Sequence, residues 1–261
     1  MLKQNAFLIV TTCILASCGG VKSDDVTKAL FSDVVVLSSD LSAITINGAP
    51  LSAPEYNAAL DFGSLKNWHS ADNTEQGYLG ETTTGNSRAF VGVTNNAAVP
   101  FGNGTVMRVV PTALPTDGTA TYLGSYVGYL SSHDETSSAA SNTLYARLLG
   151  DMSMTANFDA ASGAQVDGRI ENRSLEAPAD DSSNINSVDD LILVVTALNS
   201  DGSYRGTTSG GDIESISSGG IDGAYGGLIS GDTGQETIGA VRLIHDTGSE
   251  KYIEIGVFIA Q

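Results

Sequence analysis

The chain has 261 residues, with 12 lysines and arginines against 30 aspartates and glutamates, which gives a formal net charge of −18 at pH 7. This balance offers no basic stripe to neutralise phosphates, so it argues against nucleic acid as a partner and against broad contact with an anionic membrane face. Both cysteines, Cys13 and Cys18, lie within the first eighteen residues. The fold is therefore expected to rest on its own hydrophobic core, which a chain of this length can bury without disulfides.

The N-terminus has the pattern of a secretory signal. Lys3 precedes an apolar run at 6–16 (AFLIVTTCILA), which is shorter than the ~20 residues that a membrane-spanning helix needs. The run ends in Leu15-Ala16-Ser17-Cys18, which resembles the bacterial lipobox. The resemblance implies cleavage between Ser17 and Cys18, removal of residues 1–17 as a lipoprotein signal peptide, and acylation of the Cys18 thiol. The alternative is an ordinary signal peptide with a cysteine near its cleavage site.

A lipidated Cys18 would attach the mature chain to a membrane through its acyl chains. Each buried methylene contributes ~0.8 kcal/mol, so two or three acyl chains anchor a protein that does not span the bilayer. Residues 18–32 then form a lipidated tether. Gly19 is not the aspartate that typically retains bacterial lipoproteins in the inner membrane, so the expected location is the outer membrane.

The first half of the mature chain, residues 33–115, is predicted to be β-rich. Strands are expected at 33–39, 43–48, 88–94 and 105–110. The segment PTALPTDGT at 111–119 contains two prolines and a glycine and marks the expected boundary with a second unit at 116–261. Trp68 and Tyr78 lie in what reads as a long polar connection, and a large aromatic residue on a loop is a candidate binding anchor. The alternative is that Trp68 packs into the core between the two halves.

The second half shows a clear alternation of apolar and polar residues. Residues 152–158 and 164–171 both alternate with period 2 and are predicted to form one hairpin around Ser162-Gly163. In the last strand, isoleucine and valine share one face at 253–259. Eight or nine strands are expected near 120–130, 143–149, 151–158, 164–170, 191–198, 203–207, 221–229, 236–244 and 251–259. Large residues alternate with glycines from Tyr122 to Gly128, which favours a small closed barrel over a sandwich.

Three stretches of this half resemble the transferrin-binding protein B-like lipoproteins. They are ATYLGSYVGYL at 120–130, MSMTANFDAASGAQVDGRIEN at 152–172 and IDGAYGGLISGDTGQETIGAVRL at 221–243. The resemblance implies an all-β chain, in which a handle-like β region at 33–115 precedes an antiparallel eight-stranded barrel at 116–261. It also implies a cell-surface lipoprotein whose partners are host proteins or small ligands, together with an outer-membrane export or receptor partner.

The sequence carries no recognisable catalytic or metal-binding motif. The three histidines, His69, His133 and His245, lack the spacing of a zinc site, and the polar segment ADDSSNINSVDDL at 179–191 does not match a calcium loop. There is no nucleophile elbow, phosphate-binding loop or dinucleotide fingerprint. The protein is therefore expected not to be an enzyme and to need no metal or other cofactor.

Two classes of function remain open at this stage. The first is a surface-exposed lipoprotein that binds a host or environmental ligand, with metal or haem acquisition suggested by the family resemblance. The second is a structural, envelope-associated lipoprotein whose barrel only packs and anchors. Exposure outside the cell and saturable binding would favour the first, whereas a periplasmic location would favour the second.

Overall fold

The computed structural model describes residues 55–70, 75–94, 105–108, 114–133, 143–159, 163–176, 188–214, 216 and 220–261, together with the strand segments 35–37, 44–46 and 49–50. The predicted lipidation and cleavage residues, Ser17 and Cys18, lie outside the described residues. Within the part that is described, no helix has both the length and the apolar character needed to cross a membrane.

The first half of the chain forms two antiparallel sheets. A small sheet contains β1 (Val35–Leu37), β2 (Ile44–Ile46) and β3 (Ala49–Pro50). A five-stranded sheet, called the handle sheet below, contains β4 (Glu55–Tyr56), β5 (Leu65–His69), β6 (Glu75–Glu81), β7 (Ser87–Thr94) and β8 (Thr105–Arg108) in that order. The prediction of a polar connection around Trp68 and Tyr78 was wrong, because both residues lie in strands of this sheet. The apolar alternation there is interrupted by a lysine, an asparagine and two glycines. The sequence pattern therefore does not indicate the strands.

The second half closes into an antiparallel barrel of eight strands, which confirms the predicted fold class. These strands are β9 (Thr119–His133), β10 (Thr143–Asn157), β11 (Gln165–Glu176), β12 (Leu191–Ala197), β13 (Ser203–Gly210), β14 (Gly220–Ser230), β15 (Glu236–Asp246) and β16 (Lys251–Ala260). The hairpin of β10 and β11 is confirmed by the pairing of Met152 with Ile170 and of Ala156 with Val166. The two strands predicted at 143–149 and 151–158 are one strand, β10, with a register shift at Gly150.

The two faces of the barrel strands have different neighbours. On β9, Tyr122, Tyr126 and Leu130 point into the barrel core, whereas Val127 and Tyr129 belong to a second apolar cluster on the outside. This alternation follows from the pleat, which sends successive side chains to opposite faces. From Val127 to Leu130 both faces of β9 are buried, because the handle sheet covers the outer face there.

Tyrosines fill much of the barrel interior. Tyr122, Tyr126, Tyr204 and Tyr225 are each at most 1% exposed. The rings of Tyr126, Tyr204 and Tyr225 occupy the space that glycines leave open on the same or a neighbouring strand, for example Tyr225 against Gly206. The interior of the described barrel is thus packed with side chains, as expected for a barrel of only eight strands.

The handle sheet packs against the outside of the barrel. Leu65, Tyr78 and Val91 from the sheet join Val127 and Val257 of the barrel in one buried apolar cluster. A polar contact secures one edge of this interface, where Glu236 of β15 accepts hydrogen bonds from the backbone N–H and the hydroxyl of Thr84, at 2.8 and 2.7 Å. The division of the chain at residue 115 stays a prediction.

Candidate functional site

The connections at the two ends of the barrel differ in length. The chain segments 134–142, 177–190 and 211–219, each of at least nine residues, and the four-residue segment 247–250 join strands at one end, which we call the loop end. The segments 158–164, 198–202 and 231–235, of seven residues or fewer, join strands at the other. Binding residues in β-barrel proteins commonly lie on loops that a rigid scaffold positions. The loop end is therefore the part of the fold in which to look for a site.

A network of four buried polar side chains lies inside the barrel near the loop end. Nη2 of Arg173 donates to both carboxylate oxygens of Glu254, at 2.7 Å each. The Tyr126 hydroxyl donates to Oε1 of Glu254 at 2.6 Å, and Nε2 of His245 lies 3.1 Å from Oε2. Since a carboxylate only accepts, Nε2 carries the proton in this last contact. The side chains of Arg173, Glu254 and His245 are fully buried.

Arg173 also holds the bases of two loops. Its Nη1 donates to the backbone oxygens of Asp189, at 2.9 Å, and Gly211, at 3.1 Å. The same two segments bond to each other, because the N–H of Asp189 donates to Asp212 O at 2.8 Å and the N–H of Gly211 donates to Asp190 O at 2.9 Å. The buried charge pair therefore fixes the backbone at these two loop bases.

A bulge in β11 turns Arg173 into the barrel. Leu149 pairs with Ser174 and Asp151 with Glu171, so Asn172 and Arg173 together oppose Gly150 alone. Asn172 has a positive φ of 51°, a conformation that asparagine tolerates better than most residues. A Cβ at Gly150 would lie 3.2 Å from Cγ of Arg173, so the glycine leaves room for the side chain.

The network holds Glu254 in its charged form. Burial raises the pKa of this carboxyl, but the charge of Arg173 and the hydrogen bonds from His245 and Tyr126 outweigh it and lower the pKa from an ordinary 4.5 to about 2. Burial and the neighbouring Glu254 charge raise the pKa of Tyr126 well above its usual value. A carboxylate that is fully paired in this way is suited to holding structure.

We expect this pairing to make stability depend on acidity. A lowered pKa stabilises the folded state fully above the unfolded value near 4.5, and the contribution is lost as the pH falls towards the folded value of about 2. The difference corresponds to about 3 kcal/mol. Urea denaturation of the wild type and Glu254→Gln from pH 7 to pH 2 measures it. The stability gap between them should shrink only below about pH 4.5, and a gap that is constant over this range would contradict the pairing.

The structure separates the two aromatic residues predicted as binding anchors. Tyr78 pairs with Asn67 and Trp68 pairs with Gly77, so they lie on opposite faces of the handle sheet. Tyr78 is fully buried, donates to Leu60 O at 2.8 Å and accepts from the guanidinium of Arg147. This burial favours a packing role for Tyr78, and its predicted role in binding stays a prediction.

Trp68 lies on the face of the handle sheet opposite Leu65 and the barrel contact. It is half-buried, and its ring lies 5.2 Å from that of Tyr56, which is 46% exposed. The binding role of Trp68 also stays a prediction.

The network itself was not predicted from the sequence. Of its members, only His245 was weighed as a candidate zinc ligand in the sequence analysis. In the structure its Nε2 contacts the carboxylate of Glu254. Among the residues that the structure describes, no three histidine, cysteine, aspartate or glutamate side chains are grouped so that they could hold a metal ion. A sequence signal did exist for Glu254, since it is a charge between the apolar residues of a strand that ends in Phe258 and Ala260.

No protein-family model and no curated protein matches the chain. Among solved structures, the chain is similar to the vaccine antigen transferrin binding protein B from Haemophilus parasuis, a single-site mutant, with 14% identity and a TM-score of 0.45 over 84% of this chain and 40% of that one. It is also similar to intact Ap-TbpB with its N and C lobes, with 12% identity and a TM-score of 0.44 over 84% of this chain and 41% of that one. The chain thus spans less than half the length of either.

Proposed function

We propose that the protein is a lipid-anchored lipoprotein of the outer membrane, exposed at the cell surface, that binds a host protein or other ligand through the loop end of its barrel. The observation that carries the proposal is the anchoring of two loop bases by the buried Arg173–Glu254 pair. A loop base that is fixed before binding loses less conformational entropy when a ligand arrives.

The packed barrel favours a ligand that is contacted from outside. Interior side chains such as Tyr126, Tyr204 and Phe258 are fully buried and occupy the space that a small ligand would need. The exposed residues Asp190 and Asp212 at the loop bases are placed to meet a partner instead. A role in metal or haem acquisition, which the sequence resemblance suggests, would then involve a carrier protein as the ligand.

Attachment and exposure are tested by protease shaving of intact cells. The wild type should be acylated and cleaved from whole cells, whereas Cys18→Ala should lack the acyl chains and be released from the membrane. Protection of the wild type until the outer membrane is broken would refute surface exposure. The structural, envelope-associated function would then be favoured.

Use of the loop end is tested with two matched sets of substitutions. Alanine replaces the exposed residues Asp190, Asp212 and Glu214 in one variant, and the exposed residues Asp117, Asp159 and Asp201 at the opposite end in the other. Both variants lose the same charge. The partner is recovered by crosslinking on intact cells, once protease shaving has shown that the protein is exposed on them. This partner should bind the first variant more weakly than the wild type and the second variant as strongly as the wild type. Equal binding by both variants would refute the loop end as the binding surface.

A further inference from the structure

The outer wall of the barrel contains a groove on the strands β10–β12. Its volume is about 480 Å³, and it is lined by residues 153 and 155 of β10, 167–169 of β11 and 192–195 of β12. We call it the wall groove. It is formed by strand surfaces and does not involve the residues that anchor the loop end.

A bulge in β12 creates the groove. Val166 pairs with Thr196 and Gly168 with Leu193, so Asp167 alone opposes both Val194 and Val195. A bulge of this kind bends the strand and re-aims its side chains. β12 also leaves its ladder with β13 after residue 193 and rejoins it only at an isolated bridge from Leu198.

Tyr225 supports the bulge from inside the barrel. Its hydroxyl donates to the backbone oxygen of Val194 at 2.6 Å. The ring passes Gly206 of β13, where any side chain would meet it. The phenol of β14 therefore supplies a hydrogen bond to β12 where the ladder between β12 and β13 is interrupted, and it supports the floor of the groove.

Three chemically different strips run side by side across the groove. Register places Ser153, Arg169 and Ile192 in one row across the three strands, and it places Thr155 beside Asp167 in the next row. One side thus carries hydroxyls, the middle carries one positive and one negative charge, and the far side is apolar. Ile192 is 43% exposed and the neighbouring Val195 is 55% exposed, both unusual for β-branched residues.

The two charges match the two charges of a peptide zwitterion in sign. The Cα atoms of Asp167 and Arg169, two residues apart on one strand, are separated by about 6.6 Å along it. An extended dipeptide separates its terminal ammonium and carboxylate by a similar length, because its own backbone has the same rise. Arg169 now pairs with Glu171 at 2.8 Å, but both side chains are more than a third exposed, and such pairs hold together only weakly.

We propose that the wall groove binds short zwitterionic peptides that carry an apolar side chain. The peptide ammonium contacts Asp167, its carboxylate displaces Glu171 from Arg169, and its side chain packs on Ile192 and Val195. The hydroxyls of Ser153 and Thr155 face the peptide backbone. This site goes beyond the proposed function at the loop end and does not depend on it.

Titration of the mature chain with valyl-leucine tests the site, by calorimetry and by amide NMR shifts. We expect saturable binding with shifts at Gly168, Val194 and Val195. N-acetyl-valyl-leucine and valyl-leucinamide, which each lack one charge, should bind about three- to tenfold more weakly. Asp167→Asn should weaken binding of valyl-leucine but leave the affinity for the acetylated peptide nearly unchanged, because that peptide has no ammonium.

Further variants test whether the peptide binds in the wall groove and nowhere else. Val195→Thr keeps the side-chain shape at an exposed position, and it should weaken binding of valyl-leucine but not of glycylglycine. The variant Asp190→Ala, Asp212→Ala, Glu214→Ala should bind valyl-leucine like the wild type, so a failure of the proposed function would leave this result intact. The proposal is overturned if no saturable change occurs, if capped and free peptides bind equally, or if the shifts map to the loop end.

Discussion

Arg173→Met is expected to lower the free energy of unfolding by about 3–5 kcal/mol. The substitution keeps an unbranched side chain of similar length but leaves Glu254 fully buried without its countercharge. A buried carboxylate that loses its partner must either stay charged at high cost or take up a proton. Urea denaturation at pH 7, followed by circular dichroism, measures the change. A loss below about 1 kcal/mol would show that the pair contributes little.

Two controls separate the buried charge from other effects of the change. Arg169→Met removes an exposed partner of Glu171 and should alter stability by no more than about 0.5 kcal/mol. The double variant Arg173→Met, Glu254→Leu removes both buried charges and should recover much of the stability lost by the single variant. A double variant that is as unstable as Arg173→Met would contradict the charge-based explanation.

The same double variant distinguishes stability from loop anchoring. Without Arg173, the backbone oxygens of Asp189 and Gly211 lose their guanidinium donor whether or not Glu254 is present. Hydrogen exchange at the loop bases should therefore stay faster than in the wild type even where stability recovers. Recovery of both would show that Arg173 is not what holds the loops.

Alternation along the chain was sufficient to predict most of the barrel. The hairpin of β10 and β11 could be read from residues 152–158 and 164–171, because one face of each strand is apolar and the other is polar. The pattern was less informative for β16. Its isoleucine face, including Ile255, contacts the handle sheet, while the opposite face with Glu254 and Phe258 lines the interior. A strand buried on both faces does not show which face is inside.

The candidate network could not be predicted because it depends on a bulge and on distant pairing. The positive φ of Asn172 shifts the alternation of β11 by one residue, so Arg173 points inward where a regular strand would send it out. Its partner Glu254 lies 81 positions away in the sequence. Neither the bulge nor the distant pairing has a local sequence signature. The pair can therefore be identified only in the folded barrel.

Gly256→Ala is expected to destabilise the barrel by about 3–5 kcal/mol. Gly128 and Gly256 face each other across β9 and β16, and the ring of Tyr126 lies over both. A methyl group at Gly256 would overlap this ring, so Tyr126 must move and its hydrogen bond to Glu254 is lost. Overpacking and the loss of a bond to a charged group add together in this one substitution. Thermal and urea denaturation measure the effect.

A glycine in open space provides the comparison. Gly163 has a φ of 82°, and no atom lies within 4 Å of the position that a methyl group would take there, so Gly163→Ala should cost only the backbone strain of about 1 kcal/mol. A double-mutant cycle then assigns the cause. In a Tyr126→Leu background the ring is gone, and the cost of Gly256→Ala should fall by more than half. If the cost is the same in both backgrounds, the glycine is required by the backbone of β16 and not by Tyr126.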